Sequence, residues 1–232
     1  MDLVFFRSLF EVPQTTPAVA FYLETGSLSI GTLLKVKRIN YLHYLVKLEK
    51  SEMLSKFFLA QWESPVAFDW TLEVQKNLTE FGISTDLELI QKMSKNAFRN
   101  LVKKKAKCFE YLRLLEIKDR KSKMKNLFYP EFKLQDYLLL KNMNISQARA
   151  LFKFRVRMAP FGQNFKGGQS MIVCPFCGNH ADGQEESWGC KPINRIIDIQ
   201  GDYKEIFGQT FSEQIVKSVE NLYIFREEFR KL

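Results

Sequence analysis

The longest helical pattern in the chain is "AFRNLVKKKAKCFEYLRLLEIKDRK", residues 97 to 121. Apolar side chains recur in it every three or four residues, as they do on the buried face of a helix. The predicted buried stripe consists of Phe98, Leu101, Val102, Phe109 and Leu112. Ser94 or Asn96 stands just before the pattern and is of a residue type that caps helix N-termini. The segment therefore predicts one long helix whose other side carries a run of lysines.

Helical periodicity also prevails on both sides of this segment. The stretch "IGTLLKVKRINYLHYLVKL", residues 30 to 48, places Ile30, Leu34, Tyr41, Leu45 and Leu48 at helical spacings. A closing helix is predicted where Ile215, Val219, Leu222, Phe225 and Phe229 recur at similar intervals. Strand patterns are few: "LFKFRVRM", residues 151 to 158, is the one serious ambiguity, and "INRIIDI" after Pro192 could form a short strand or an extended link. We predict a mainly α fold.

A change of composition after residue 159 predicts a domain boundary. The loop "PFGQNFKGGQS", residues 160 to 170, contains three glycines and leads into a segment that contains three cysteines. We therefore predict a helical domain over residues 1–159 and a second part over 160–232, which would hold the cysteine loop and the closing C-terminal helix.

The positive charge of the chain is concentrated locally. The 35 Lys and Arg residues exceed the 26 Asp and Glu residues by nine. Residues 95–125 contain twelve cations and three acids, which accounts for the whole excess, and residues 137–181 contain six cations and no acid. Clustered cations on an otherwise neutral chain are typical of proteins that bind nucleic acid, because phosphate contacts release condensed counterions. A solvated helix face is the alternative interpretation.

Two groups of cations are the candidates for phosphate contacts. The first lies on the long helix and consists of Lys103, Lys104, Lys105 and Lys107; Lys105 falls within the apolar stripe, so either its stem lies on the core or the helix is interrupted there. The second consists of Arg149, Lys153, Arg155 and Arg157. The stretch "LFKFRVRM", residues 151 to 158, alternates like a strand but also fits a helix that begins at Ser146. We favour the helix because "SQARALF" has high helix propensity.

The stretch "CPFCGNHADGQEESWGC", residues 174 to 190, predicts a zinc site. A Cys-x-x-Cys turn brings Cys174 and Cys177 to one ion, and Cys190 follows after enough chain to return as a third ligand. His180 and Glu186 are the candidates for the fourth ligand. His180 offers the imidazole that structural zinc sites usually contain, whereas Glu186 has the better spacing from Cys190.

No pattern in the sequence indicates an active site. Two-metal nucleotidyl transfer needs converging carboxylates, which a reverse transcriptase supplies from two adjacent residues, and the chain contains no Asp-Asp pair. Only two histidines are present, and His43 lies in a helical pattern where a packed role is typical. We therefore predict that the protein is not an enzyme. The four cysteines are too few for a disulfide framework, and no apolar run is long enough to span a bilayer, so we expect an intracellular protein, nuclear or cytoplasmic, that does not enter a membrane.

Four stretches together resemble the region after the reverse transcriptase core in non-LTR retrotransposon open reading frames. They are "PAVAFYLETGSLSIGTLLKVKRINYLHYLV", "LAQWESPVAFDW", "ARALFKFRVRMAPFGQNFKG" and the cysteine stretch, in this order. The resemblance implies a helical, thumb-like extension followed by a cysteine-histidine knuckle that helps to hold RNA or DNA. The histidine of that knuckle corresponds to Glu186 in this chain, which implies a degenerate site with His180 as a possible substitute ligand.

These observations predict a non-catalytic, retrotransposon-derived protein that binds nucleic acid, with RNA as the leading candidate and DNA as the alternative. Phe176 and Trp188 would stack on unpaired bases, or else cover the metal loop. The alternative is an interaction module that docks a protein partner or associates with itself. Exposed apolar surface would favour this alternative.

Overall fold

The fold is mainly α, as the sequence predicts. The computed structural model describes residues 2–121, 123–124, 126–139, 142–165, 173–208 and 211–230. In this part of the chain there are twelve α-helices, two 3₁₀ turns and no strand, and one antiparallel bridge joins Val173 to Ala181. No helix within these ranges combines the length and the hydrophobicity that crossing a bilayer would require.

The chain forms two compact units. The first unit contains residues 1–27 and 116–232, and the second contains residues 28–115. The predicted boundary at residue 159/160 does not coincide with this division. The helix before that boundary packs against the C-terminal helix beyond it, so the two predicted parts share one core.

The second unit is a group of five helices around one core. Its helices are α3 (Ile30–Val46), α4 (Met53–Glu63), α5 (Trp70–Glu80), α6 (Leu87–Lys92) and α7 (Lys95–Asp119), whose last turn belongs to the first unit. Helix α3 packs against α4, α5 and α6. The fully buried core residues include Ile39, Leu42, Val74, Phe98 and Val102.

Local capping explains where these helices begin and end. The Ser29 hydroxyl accepts the Thr32 backbone N–H at the start of α3, and the Asp86 carboxylate accepts two N–H groups at the start of α6. Ser94 accepts the Ala97 N–H at the start of α7. Gly82 follows α5 with a φ of +61°, a left-handed conformation that glycine adopts without strain.

The first unit is built around helix α8. Its α-helices are α1 (Asp2–Phe10), α2 (Ala18–Thr25), α8 (Ile145–Arg155), α9 (Gly162–Phe165), α10 (Gln184–Trp188), α11 (Lys191–Ile196) and α12 (Glu213–Arg230); Asp136–Leu139 and Tyr203–Phe207 form the 3₁₀ turns. Asn144 and Gln147 form a capping box at the start of α8, which settles the strand-or-helix alternative in favour of the helix. Helix α8 packs against both α1 and α12.

Several predicted positions differ in the structure. Leu112 on α7 is exposed, although a buried position was predicted for it, and Cys108 on the same helix is exposed as well. On α3, three of the predicted positions, Ile30, Leu34 and Tyr41, are exposed. The predicted Leu45 is buried, together with Ile39 and Leu42. The first part of the segment predicted as a strand or extended link is a helix, α11, because Pro192 stands in the first turn, where a missing N–H costs nothing. Only residues 197–199 of that segment lie outside the helix.

Candidate metal centre and nucleic-acid interface

The cysteine loop is a tight turn closed by backbone hydrogen bonds. The Cys174 N–H donates to the His180 carbonyl at 2.7 Å, and the Gly178 N–H donates to the Cys174 carbonyl at 2.9 Å. Gly178 has a φ of +68°, which a side chain would strain. The turn therefore holds the first two cysteines on one side of the loop.

The third cysteine returns to the same place through a short helix. Cys190 follows α10 and serves as the N-cap residue of α11. The three sulfurs all lie within 4.8 Å of one another, and the Cys174 and Cys190 sulfurs are 3.9 Å apart. A tetrahedral ion with bonds of about 2.3 Å to sulfur separates its ligands by about 3.8 Å. The spacing thus suits a metal ion and is far longer than a disulfide bond.

The surroundings favour the thiolate at Cys177 and disfavour it at Cys190. The Asn179 backbone N–H donates to the Cys177 sulfur and is the main cause of the lowered pKa of this thiol; partial desolvation opposes it and the His180 N–H reinforces it. Desolvation raises the pKa of the Cys190 thiol to about 11. Metal binding must therefore displace the Cys190 proton, which makes the metal affinity rise with pH.

Neither candidate for the fourth ligand belongs to the cluster. The His180 side chain is exposed, because its residue closes the turn through its carbonyl and leaves the ring outside the group of sulfurs. The Glu186 carboxylate folds back over Gly183, at the start of its own helix. The structure therefore brings together three of the four predicted metal ligands, and the placement of His180 with them was wrong.

The loop is fastened to the C-terminal helix by an ion pair that the sequence patterns did not reveal. The Asp182 carboxylate accepts two hydrogen bonds from Arg226 of α12, at 2.6 and 2.7 Å, and also accepts the Gly162 N–H. The Arg226 guanidinium lies over the ring of Phe161. Asp182 and Arg226 are 44 residues apart in sequence, so no short-range sequence pattern could have indicated the pair. Both are buried in the same core, which only the structure reveals.

The two aromatic residues predicted to stack on bases pack within the protein instead. The ring of Phe176 lies 5.0 Å from that of Phe225 and 4.5 Å from that of Phe229. Trp188 is buried, and its indole N–H donates to the Gly201 carbonyl. These contacts fit the alternative role, in which both residues cover the cysteine loop.

The second predicted group of cations is mostly part of the core of the first unit. Arg155 is fully buried and binds the Glu24 carboxylate at 2.9 Å. Desolvation alone would lower the pKa of Arg155, but Glu24, Tyr129 and Tyr137 together outweigh it and raise that pKa. The Lys153 ammonium donates to the Tyr223 hydroxyl at 2.6 Å, and burial lowers its pKa. Arg149 pairs with Glu11.

The prediction that this group contacts phosphates therefore needs correction. Helix α8 packs against helices on two sides. Its cations therefore contact carboxylates and carbonyls of the protein, whereas the cations of a surface helix would contact solvent. Arg149, Lys153 and Arg155 are engaged within the fold. Arg157 is half-buried with a φ of +53° and lines a separate groove of about 420 Å³ beside Lys204.

The first predicted group lies largely on the surface. Lys103, Lys104 and Lys107 are exposed, and the described ion pairs of this segment begin only at Glu110. Helix α7 is continuous through Lys105, which is half-buried with its ammonium close to Gly82 at the end of α5. The stem of Lys105 therefore packs on the core while its charge lies at the surface.

Two further cations belong with this group. Lys95 and Arg99 are exposed and precede Lys103 and Lys107 at intervals of four residues. Residues four apart are neighbours on a helix surface, so these four cations form one ridge about 18 Å long. We call Lys95, Arg99, Lys103 and Lys107 the α7 ridge. The repeat of four is visible in the sequence and could have identified Lys95 and Arg99.

No protein-family model matches the chain, and no curated protein or solved structure matches it.

Proposed function

We propose that the protein is a non-catalytic, retrotransposon-derived nucleic-acid-binding protein that prefers RNA and contacts phosphates through the α7 ridge. The observation that carries the proposal is the charge pattern of α7. Between residues 95 and 107 there are six cations and no acid, and all except Lys105 are exposed. Solvated cations that have no carboxylate neighbours remain available to phosphates, and their release of counterions favours binding.

The test is the salt dependence of RNA binding. Fluorescence anisotropy with a labelled single-stranded RNA should give a dissociation constant that rises steeply with salt. The logarithm of the association constant falls linearly with the logarithm of the salt concentration. In the double variant Lys103→Gln/Lys107→Gln this slope should be less steep by about 1.4, because each lost contact to a single strand removes about 0.7.

The control variant changes the same charge at another place on the second unit. Lys50 and Lys56 are also exposed, but they lie outside α7, so Lys50→Gln/Lys56→Gln should leave the slope unchanged. Equal effects of the two double variants would mean that net charge alone drives binding. Tight binding that does not depend on salt would contradict the proposal. A matched single-stranded DNA tests the preference for RNA.

We also propose that the cysteine cluster holds a structural zinc ion. The three thiols, their separation and the N–H donors at Cys177 support this. Zinc would join the cysteine turn to the chain after α10. The purified protein should contain about one zinc per chain. Cys190→Ser should lose the metal, whereas Cys108→Ser, at an exposed cysteine of the second unit, should retain it. Equal zinc content in the two variants would contradict the site.

A second candidate function is protein interaction, favoured by the apolar residues at the start of α3. Ile30, Leu33 and Leu34 are 42, 41 and 50% exposed and lie within two turns of the helix. Contiguous exposed apolar side chains mark surfaces that associate. Sedimentation velocity over a range of concentrations should then show self-association that Leu34→Glu abolishes. A monomer at all concentrations would contradict the self-associating form of this candidate.

A further inference from the structure

A groove opens beside the first turn of α7. It has a volume of about 610 Å³ and lies between the second half of α3 and the start of α7. The residues that define its chemistry are Tyr41, His43, Tyr44, Lys47, Lys95 and Arg99. All of them belong to the second unit, so the groove is complete within one compact body.

Two tyrosine rings form one wall of this groove. Tyr41 and Tyr44 are 48 and 53% exposed, and their rings lie 5.7 Å apart at 25°. The edge of Trp70 fixes the Tyr41 ring in a T-shaped contact at 5.7 Å. Large aromatic rings that are held in place yet open to solvent are suited to stacking on flat ligands.

The floor of the groove is held firmly by neighbouring residues. His43 is 6% exposed, and its Nε2 lies 3.1 Å from the Met93 carbonyl. Its ring stacks on that of Phe98 at 5.0 Å. The tyrosines therefore stand on a packed helix, and binding a ligand would require little ordering of the site.

The charge around the groove is positive. Lys47, Lys95 and Arg99 line it, and none of the described lining residues is acidic. Lys95 and Arg99 are also the first two members of the α7 ridge. The aromatic wall thus stands at one end of a row of cations, an arrangement typical of proteins that bind single-stranded nucleic acid.

We infer that this groove binds an unpaired nucleotide of single-stranded RNA, with the base stacked on Tyr44 and the adjacent phosphates on Lys47, Lys95 and Arg99. The inference rests on the proposed function and extends it by naming the strandedness of the ligand. Bases in a duplex are stacked on one another and cannot reach a tyrosine ring, so the groove would discriminate against double-stranded RNA. The remaining phosphates would continue along the α7 ridge.

The test compares variants of Tyr44, whose ring contacts only Tyr41 among the ring contacts of the described residues. Tyr44→Ala should weaken binding of a twelve-nucleotide single-stranded RNA of mixed sequence about tenfold, the size expected for one stacked base. Tyr44→Phe keeps the ring and should bind like the wild type. Neither variant should change the salt slope or the binding of a twelve-base-pair RNA duplex of the same sequence.

A second measurement detects stacking itself. In a single-stranded RNA that contains one 2-aminopurine, fluorescence should fall further on binding to the wild type and Tyr44→Phe than to Tyr44→Ala. Circular dichroism spectra that coincide for all three proteins exclude unfolding as the cause of any difference.

The outcomes distinguish a failure of this inference from a failure of the proposed RNA-binding function. If RNA binding is salt-dependent and sensitive to Lys103→Gln/Lys107→Gln but Tyr44→Ala binds normally, the inference is wrong and the proposed function stands. Equal losses for Tyr44→Ala and Tyr44→Phe would also overturn it, since the hydroxyl and not the ring would then matter. If the wild type binds no RNA, both fail, and the tyrosines become candidates for a protein-binding surface.

Discussion

Helices α7 and α8 both carry cations at intervals of four residues, yet the side chains meet different surroundings. On α8, Arg149 pairs with Glu11, and Arg155 is buried against Glu24. On α7, Lys103 and Lys107 extend into solvent. The reason lies in the neighbours: α8 is packed between α1 and α12, whereas the ridge side of α7 has no described carboxylate partner.

The comparison shows that a run of cations in a sequence has no single meaning. Cations on a helix with two packed sides act as core residues when buried carboxylates match them. Cations on a helix with one packed side remain available for ligands. Of the eight residues that sequence patterns nominated for phosphate contacts, Arg149, Lys153 and Arg155 on α8 therefore serve mainly the stability of the fold, whereas Lys103, Lys104 and Lys107 on α7 remain candidates for binding.

The largest expected effect comes from breaking the buried pair of α8. Arg155→Met should destabilise the protein by about 3–5 kcal/mol, because it leaves the Glu24 carboxylate charged and buried without its cation. Arg155 also donates to the carbonyls of Ile206 and Gly208, which would lose a donor. Urea denaturation followed by circular dichroism measures the loss.

A second variant separates charge burial from packing. Arg155→Met combined with Glu24→Leu removes both charges and should recover much of the lost stability, since apolar replacements of a buried pair are often tolerated. If instead Arg155→Met leaves stability intact and weakens RNA binding, Arg155 is a ligand contact and the contrast between the two helices is lost.

The next largest effect concerns Glu110, the one acid among residues 95–115 of α7. Desolvation favours its protonated form, but hydrogen bonds from Arg113, Thr32 and the Ser29 N–H outweigh it and lower the pKa of this carboxyl. The carboxylate is buried and points to the start of α3. It therefore neutralises none of the ridge lysines.

The pH dependence tests this role. A lowered pKa means that the ionised Glu110 stabilises the fold above its ordinary pKa of about 4.3, and that this stabilisation is lost as the pH falls through the lower value of the folded state. Glu110→Gln should cost about 2 kcal/mol at pH 7, and its difference from the wild type should shrink below pH 4. A constant difference between pH 3 and pH 7 would contradict the ionised role.

The helix positions were largely predictable from local chemistry. Ser29, Asp86 and Ser94 begin helices because each supplies a side-chain oxygen to a free N–H, and Gly82 ends one because it accepts a positive φ. These are interactions over two to four residues, which a sequence displays directly. The Cys-x-x-Cys turn belongs to the same class.

The contents of the core were less predictable. Periodicity states which residues share a helix face, but only a neighbouring helix decides whether that face is covered. Leu112 and Tyr41 were therefore misplaced, and the burial of Arg155 depends on Glu24, which is 131 residues away in sequence. Cys108 follows Lys104 by one helical turn and shares its exposure for that reason.

Charge reversal on α7 should affect binding and spare stability. The triple variant Lys103→Glu/Lys104→Glu/Lys107→Glu should weaken RNA binding at least tenfold at 0.1 M salt, to a similar extent for all sequences, because phosphate contacts carry no sequence information. Its free energy of unfolding should change little, as is usual for exposed sites. Lys153→Gln should instead lower the free energy of unfolding and leave RNA binding unchanged. Equal losses of stability in both variants would remove the distinction between α7 and α8.

The smallest effect should come from Lys105, which combines features of both groups. Its ammonium lies beside Gly82 at the C-terminal end of α5, where the helix dipole favours a cation. Lys105→Met should therefore cost about 0.5 kcal/mol of stability and leave RNA affinity unchanged. The neighbouring Lys104→Met, at an exposed position, should leave stability unchanged and weaken RNA binding instead.

This pair of variants compares two adjacent lysines of α7, one expected to contribute to stability and the other to RNA binding. Urea denaturation and anisotropy measured on the same two proteins give the four values needed. If Lys105→Met weakens RNA binding as much as Lys104→Met, the Lys105 ammonium contacts phosphate rather than the end of α5. The binding surface would then extend around α7 toward α5, and burial of a stem would no longer predict which lysines bind.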